Sequence, residues 1–214
     1  LDPGRRNEHG GKTVAISDCE PNVAELEGLL LSKANRIMIK LSPMLDLSQA
    51  LKELPHTQEV HIISVNNECK ELLLLLGQTA PEEIPVHCVN LSTKGEQEKQ
   101  LFVFTREQEQ HSECSYTDTL GNYLYEPNAS LLKAGAFRSI AAAYSVKKLH
   151  PNSHLYTSDT QIEGFPGRTF RIINRCSLNK KEIKENLSDL KKANITVRNF
   201  PATVAELRKR IKLA

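Results

Sequence analysis

The chain has 214 residues, 39% hydrophobic and 25% charged, with a net charge of +2, a composition ordinary for a soluble globular chain that can bury one large core or two small ones. The longest apolar runs, Leu72 to Leu76 and Leu29 to Leu31, fall far short of the about 18 to 20 residues that cross a bilayer. With no basic-then-apolar leader, the expectation is a cytoplasmic protein with no membrane partner. Five cysteines (Cys19, Cys69, Cys88, Cys114, Cys176), odd in number and without a CxxC pair, argue against a disulfide framework and a zinc site.

In chain order, Thr13 to Ile16 reads as a short strand, and Val23, Leu26, Leu29 and Leu30 repeat at helical spacing over Asn22 to Ser32. Arg36 to Leu41 is a short apolar strand, Leu47 to Leu54 a helix and Glu59 to Val65 a second strand. The leucine-rich Glu68 to Leu76 is expected to be a third helix, and Val86 to Leu91 and Gln100 to Thr105 two strands paired as a hairpin. Alternating strands and helices predict half of a doubly wound parallel α/β sheet. The polar stretch Glu107 to Gly121 is expected to be a linker or protruding hairpin. Beyond it come Tyr123 to Tyr125, a helix from Ala129 to Ser145 behind the Pro127-Asn128 cap, a strand at Leu155 to Thr157, and a turn around Gly164 to Gly167. A strand over Arg168 to Asn174, a helix over Lys180 to Ala193, a strand over Ile195 to Asn199 and a helix over Ala202 to Ile211 complete the pattern.

The bland net charge hides a switch near Leu120. Residues 1–119 carry 11 Lys and Arg against 19 Asp and Glu, net −8, whereas residues 120–214 carry 17 against 7, net +10. An excess of that size attracts polyanions, nucleic acid first among them. The expected RNA-binding set is Lys147, Lys148, Arg168, Arg171, Lys191, Lys192, Arg198, Arg208, Lys209 and Arg210, contacting backbone phosphates. Arg168 and Arg171 fall on opposite faces of their strand and cannot both line one groove.

Several stretches together carry a family likeness: Asp2-Pro3-Gly4-Arg5-Arg6, His9-Gly10-Gly11-Lys12, Lys40 to Asp46, Asn66 to Leu73, Tyr125 to Ser130 with Lys133 to Phe137, Asn152 to Tyr156, Phe165 to Arg168, and Arg198 to Pro201. With these the chain resembles a bacterial family of class I S-adenosylmethionine-dependent methyltransferases that end in ferredoxin-like and THUMP-like segments. The resemblance implies an α/β fold: a partial Rossmann-like sheet, from its fourth strand onward, over residues 1–106, and a linker or hairpin over 107–121. A smaller α+β part follows, ferredoxin-like over 122–160 and THUMP-like over 161–214. It further implies RNA, transfer RNA above all, as partner, and S-adenosylmethionine as cofactor of the full-length protein. The implied missing N-terminal half is then a second partner, and the fragment alone is expected to hold no cofactor and to be inactive.

The resemblance sets Asp2-Pro3 at the carboxyl end of a strand, beside the transferred methyl group, where open α/β sheets bind ligands. Asp2, Pro3, Arg5, Arg6, Lys40 and Ser42 are therefore the candidate catalytic residues, with Asn66, Asn67 and Glu68 on the substrate-side rim. Two readings stay open for the rim: Asn66 to Glu68 as no more than a turn and helix cap, and Ser42-Pro43 as a strand terminator. After Asp2-Pro3, this chain continues with Gly4, Arg5 and Arg6 where base-amine methylases carry a second proline and an aromatic residue. The arginine pair suits a phosphate or carboxylate better than a stacked base. Gly10-Gly11 precedes a strand instead of linking strand to helix, so it is no nucleotide-binding turn. The seven histidines show no metal-site spacing, and no metal is expected. Two other functions are compatible with the sequence: a non-catalytic nucleic-acid-binding module, and a methyltransferase acting on a small molecule or protein.

Overall fold

The computed structural model describes residues 1–5, 15–93 and 99–211. Arg6, Gly10-Gly11 and the Thr13-Val14 start of the first expected strand lie outside them. The short β1 (Gly4–Arg5) pairs antiparallel with β2 (Cys19–Glu20), and Ile16–Asp18 is a 3₁₀ turn. Helix α1 (Val23–Lys33) starts where Asn22 accepts a hydrogen bond from the Ala24 N–H, and α2 (Leu47–Glu53) where Asp46 accepts from Gln49. These side chains satisfy donors that a helix start leaves without partners.

The first sheet contains β3 (Arg36–Leu41), β4 (Thr57–Val65), β5 (Glu68–Gly77), β6 (Pro85–Leu91) and β7 (Lys99–Thr105), in the order β3-β5-β4-β6-β7. It is mixed, not parallel: β5 runs antiparallel to both of its neighbours, β4 and β6 are parallel, and β6 and β7 form the expected antiparallel pair. The expected helix over Glu68 to Leu76 is thus corrected to a strand. Asn66 (φ 51°) and Asn67 (φ 63°) form a two-residue turn with both φ positive, the geometry that turns one strand back on another. Leu72, Leu74 and Leu76 are fully buried while Leu73 and Leu75 are half-buried, a period of two that a solid leucine run conceals.

The inner face of this sheet is covered by α1 at the β3 edge and by α4 (Ala129–Ala134) across β4, β5 and β6. A helix from the second half thereby closes the core of the first, and Val60, Ile62, Leu72 and Leu131 share one apolar cluster with Tyr125, Ile140 and Tyr156. Helix α3 (Arg106–His111) opens the segment expected to be irregular, and its Glu109 carboxylate accepts the N–H groups of Phe137, Arg138 and Ser139 at the start of α5 (Arg138–Tyr144). The helix expected from Ala129 to Ser145 is broken between α4 and α5 by Gly135, which takes the left-handed conformation (φ 76°) that terminates helices readily only at glycine.

The second sheet is antiparallel, in the order β11-β8-β10-β9, from β8 (Tyr123–Pro127), β9 (Lys147–His150), β10 (Ser153–Ser158) and β11 (Gly167–Arg171). Strand β9 has no counterpart in the sequence reading. Tyr125 is buried with its hydroxyl donating to the Thr160 carbonyl and accepting the Ile162 N–H. Further on, α6 spans only Lys180–Leu187, leaving Leu190 exposed, Ile195 to Asn199 is not a strand, and α7 covers Val204–Ile211. Ile183 and Leu207 are the residues these two helices bury.

Candidate functional site

Leu1 lies along the β3 edge: its amino group donates to the Met38 carbonyl at 2.8 Å and its carbonyl accepts the Lys40 N–H at 2.9 Å, the slanted pattern of parallel strands. That pairing brings the Asp2 carboxylate to 2.7 Å from the Lys40 ammonium, and Glu71, from the neighbouring β5, stands 3.7 Å away on the other side. The hydrogen bond that Lys40 donates to Asp2, reinforced by Glu71 against a smaller opposing effect of desolvation, holds the Lys40 amine above its ordinary range. Lys40 is accordingly a fixed cation flanked by carboxylates and not a proton acceptor near neutral pH. Glu71 escaped the sequence reading because it was placed on a helix; on a strand it sits two register rows beyond the Lys40–Leu73 pair, on the same face.

The other rim residues have local partners. Ser42 Oγ accepts the Met44 N–H at 3.2 Å, the hydroxyl turn of a strand terminator. Asn66 bonds to Thr93, while the Asn67 N–H donates to Asn90 and its side-chain oxygen accepts the Ala129 N–H at 2.8 Å, clamping the hairpin onto α4. Glu68 pairs with Lys70 at 2.7 Å. Asn66 to Glu68 is therefore a turn, and not a helix cap for the segment after it. Pro3 is buried, and the backbone of Arg5 belongs to β1. As for the implied cofactor, no glycine among the described residues links a strand of the first sheet to a following helix: Ser42-Pro43 follows β3 and an asparagine turn follows β4.

The basic residues separate into two groups. Lys148 is corrected from a phosphate contact to a core residue: it is 2% exposed, its ammonium donates to the His150 and Pro151 carbonyls, and it lies over the Phe137 ring. Burial lowers its pKa. Its neighbour Lys147 points outward, as strand alternation requires. Arg168 and Arg198 converge on the Glu126 carboxylate, which is 4% exposed, and Arg168 also lies over Phe170. These two arginines are structural ion-pair partners first. Arg171, Lys191, Lys192, Lys209 and Arg210 are exposed. Lys192 and Arg208 line one shallow depression, and Arg210 joins Lys180 and Lys184 around a cleft of about 450 Å³ floored by Ile183, Leu187 and Leu190. Lys184 was not singled out in the sequence because it stands between Ile183 and Glu185 and not beside another cation.

Comparison with known proteins places these features. Residues 123–166 match a ferredoxin-like domain family and residues 167–214 a THUMP domain-like family. Over 100% of its length the chain is 40% identical to a solved structure, a putative methyltransferase from Porphyromonas gingivalis W83, with a TM-score of 0.87, and it covers 52% of that protein. The chain thus spans about half the length of this relative. No curated protein matches it significantly. The family boundaries sharpen the charge contrast: residues 167–214 carry 13 Lys and Arg against 4 Asp and Glu, net +9, and residues 123–166 only +1. The boundary at 166/167 also falls within one sheet, since β11 opens the second segment and pairs with β8 of the first. The chain therefore ends in a ferredoxin-like domain followed by a THUMP-like domain, behind an α/β sheet that it shares with the Porphyromonas gingivalis protein.

Proposed function

We propose that this chain is the RNA-binding C-terminal part of a cytoplasmic S-adenosylmethionine-dependent RNA methyltransferase, with transfer RNA as the substrate class. The observation that carries the reading is the THUMP-like match over 167–214 coinciding with the +9 segment, since THUMP domains serve RNA-modifying enzymes. In this reading the exposed cations of α6, α7 and the chain between them hold phosphates, and the Asp2, Lys40 and Glu71 group forms part of the rim facing the reacting base. The parallel hydrogen bonds of Leu1 to the β3 edge support docking of the N-terminal half there, and that half supplies the cofactor cradle. This chain alone then neither binds the cofactor nor methylates. Among the described residues no helix is long and apolar enough to cross a membrane.

Fluorescence anisotropy with labelled transfer RNA on the full chain tests the RNA half of the proposal. Affinity should fall steeply between about 50 and 200 mM salt. Each phosphate-contacting cation removed, as in Lys192→Ala or Lys209→Ala, should reduce the slope of log affinity against log salt by about one. Binding that is absent at low salt, or indifferent to salt, leaves a methyltransferase acting on a small molecule or protein. Calorimetry with S-adenosylmethionine on a chain extended at its N-terminus tests the enzyme half, and no heat of binding there leaves a non-catalytic RNA-binding module.

A further inference from the structure

The two central strands of the first sheet, β4 and β6, run parallel with His61 directly opposite His87 and Ile62 opposite Cys88. Val60, Ile62, Val86 and Cys88 fill the core, so Glu59, His61 and His87 share the opposite, outer face by strand alternation. The two imidazoles stack with centroids 4.4 Å apart and planes within 9°. Both direct Nε2 at one carboxylate oxygen of Glu59, at 3.2 Å from His61 and 3.9 Å from His87. All three potential ligand atoms lie within 4.8 Å of one another. Their side chains are 38%, 26% and 26% exposed, open enough to admit an ion from solvent and buried enough to hold fixed rotamers.

We propose that Glu59, His61 and His87 form a divalent transition-metal site of the zinc type, with three protein ligands and one position left open. Two imidazoles and a carboxylate select zinc or a neighbouring first-row ion over calcium or magnesium, which favour oxygen ligands. Around a tetrahedral ion with bonds of about 2.0 to 2.1 Å the donors stand roughly 3.3 Å apart, so the observed separations close on an ion through small side-chain rotations without movement of the strands. Lys40, Leu73, His61, His87 and Val103 occupy one register row across the sheet. The ion would therefore lie on the same face as the Asp2 and Lys40 rim, between two and three strands or roughly 10 to 14 Å from Lys40. The seven histidines hid this site because His61 and His87 are 26 positions apart in sequence and meet only through the parallel register.

The test uses the tag-free full chain freed of metal by chelator. Titration with cobalt(II) should develop the visible absorption of a low-coordinate nitrogen and oxygen site at one ion per chain, displaced by zinc, and zinc should raise the melting temperature. His87→Ala should weaken zinc binding by more than the about 10- to 100-fold typical of losing a supporting partner, while His111→Ala, on the exposed α3, leaves it unchanged. On the unmodified chain, zinc should shift the imidazole nitrogen resonances of His61 and His87, which keeps the proposal testable if His87→Ala fails to fold. Binding unaffected by His87→Ala, stoichiometry well below one, or unmoved imidazole resonances would overturn it.

Discussion

The ferredoxin-like and THUMP-like segments are of similar length and share one sheet, yet they are held by different forces. Residues 123–166 contribute Tyr125, Leu131, Ala136, Ile140, Tyr156 and Phe165 to a core shared with the first sheet, and they are almost neutral. Residues 167–214 carry +9, and among their described residues only Ile183 and Leu207 are buried hydrophobics. A segment that buries so little cannot offset the entropy of ordering its backbone by apolar contact alone. It is tied down instead by the pairing of β11 with β8 and by Arg168 and Arg198 closing on Glu126. Charge that would otherwise face solvent serves docking, and the remaining cations are displayed on a segment that buries few apolar side chains.

The largest effect should follow from cutting the shared core. Ile140→Ala removes a fully buried side chain and should cost about 2 to 5 kcal/mol. Thermal unfolding followed by circular dichroism should shift for the first sheet as well as the second, because Ile140 belongs to one apolar cluster with residues of both. Separate transitions for the two sheets would break the picture of a common core.

Glu126→Gln should be smaller and local. Loss of a buried partner costs about 3 to 5 kcal/mol when both charges are buried, but the two arginines are 45% and 39% exposed, so about 1 to 3 kcal/mol is expected after allowing for solvent screening. Hydrogen exchange should accelerate over residues 167–211 and remain near its original rate over 123–166. Equal acceleration in both segments would show that the clamp stabilises the whole molecule.

The smallest expected effect is a pH dependence confined to the THUMP-like segment. Glu182 is held below the ordinary carboxylate range chiefly by the Ser177 N–H, and Glu206 by the Thr203 N–H. Because the folded pKa values are depressed, these bonds stabilise the starts of α6 and α7 above the unfolded value near 4.5 and are lost as pH falls below it through the folded values. Amide resonances of Ser177 and Thr203 should move in that acidic window and stay still between pH 5 and 8; movement at neutral pH would refute the assignment.

Much of the α/β pattern was legible because its signals are local. Asn128 caps its helix where the sequence reading placed the cap, and Asn22, Asp46 and the Thr203–Glu206 pair cap others by the same local chemistry. Strand-end reasoning gathered Asp2, Lys40, Ser42 and Asn66 to Glu68 at one rim; of these, Asp2 and Lys40 form an ion pair, and the others have local partners. The leucine run of β5 could not be resolved locally, since five consecutive leucines satisfy any period, and it was the positive-φ Asn66-Asn67 turn that decided for a strand. Lys147 and Lys148 are one basic pair in the sequence, but alternation on a strand sends one into water and the other beneath Phe137.

What the amino-acid sequence determined by itself was therefore the set of elements with distinct caps and periods, the family likeness, and the contrast between an acidic first half and a basic end. Tertiary structure alone decided which charges remain available. It drew Arg168 and Arg198 onto Glu126, buried Lys148, set Glu71 beside Lys40, and brought Glu59, His61 and His87 into reach of one ion. The physical reason is that net charge and local periodicity are properties of the chain, whereas desolvation, ion pairing and ligand convergence depend on distances of a few ångströms between residues far apart along it.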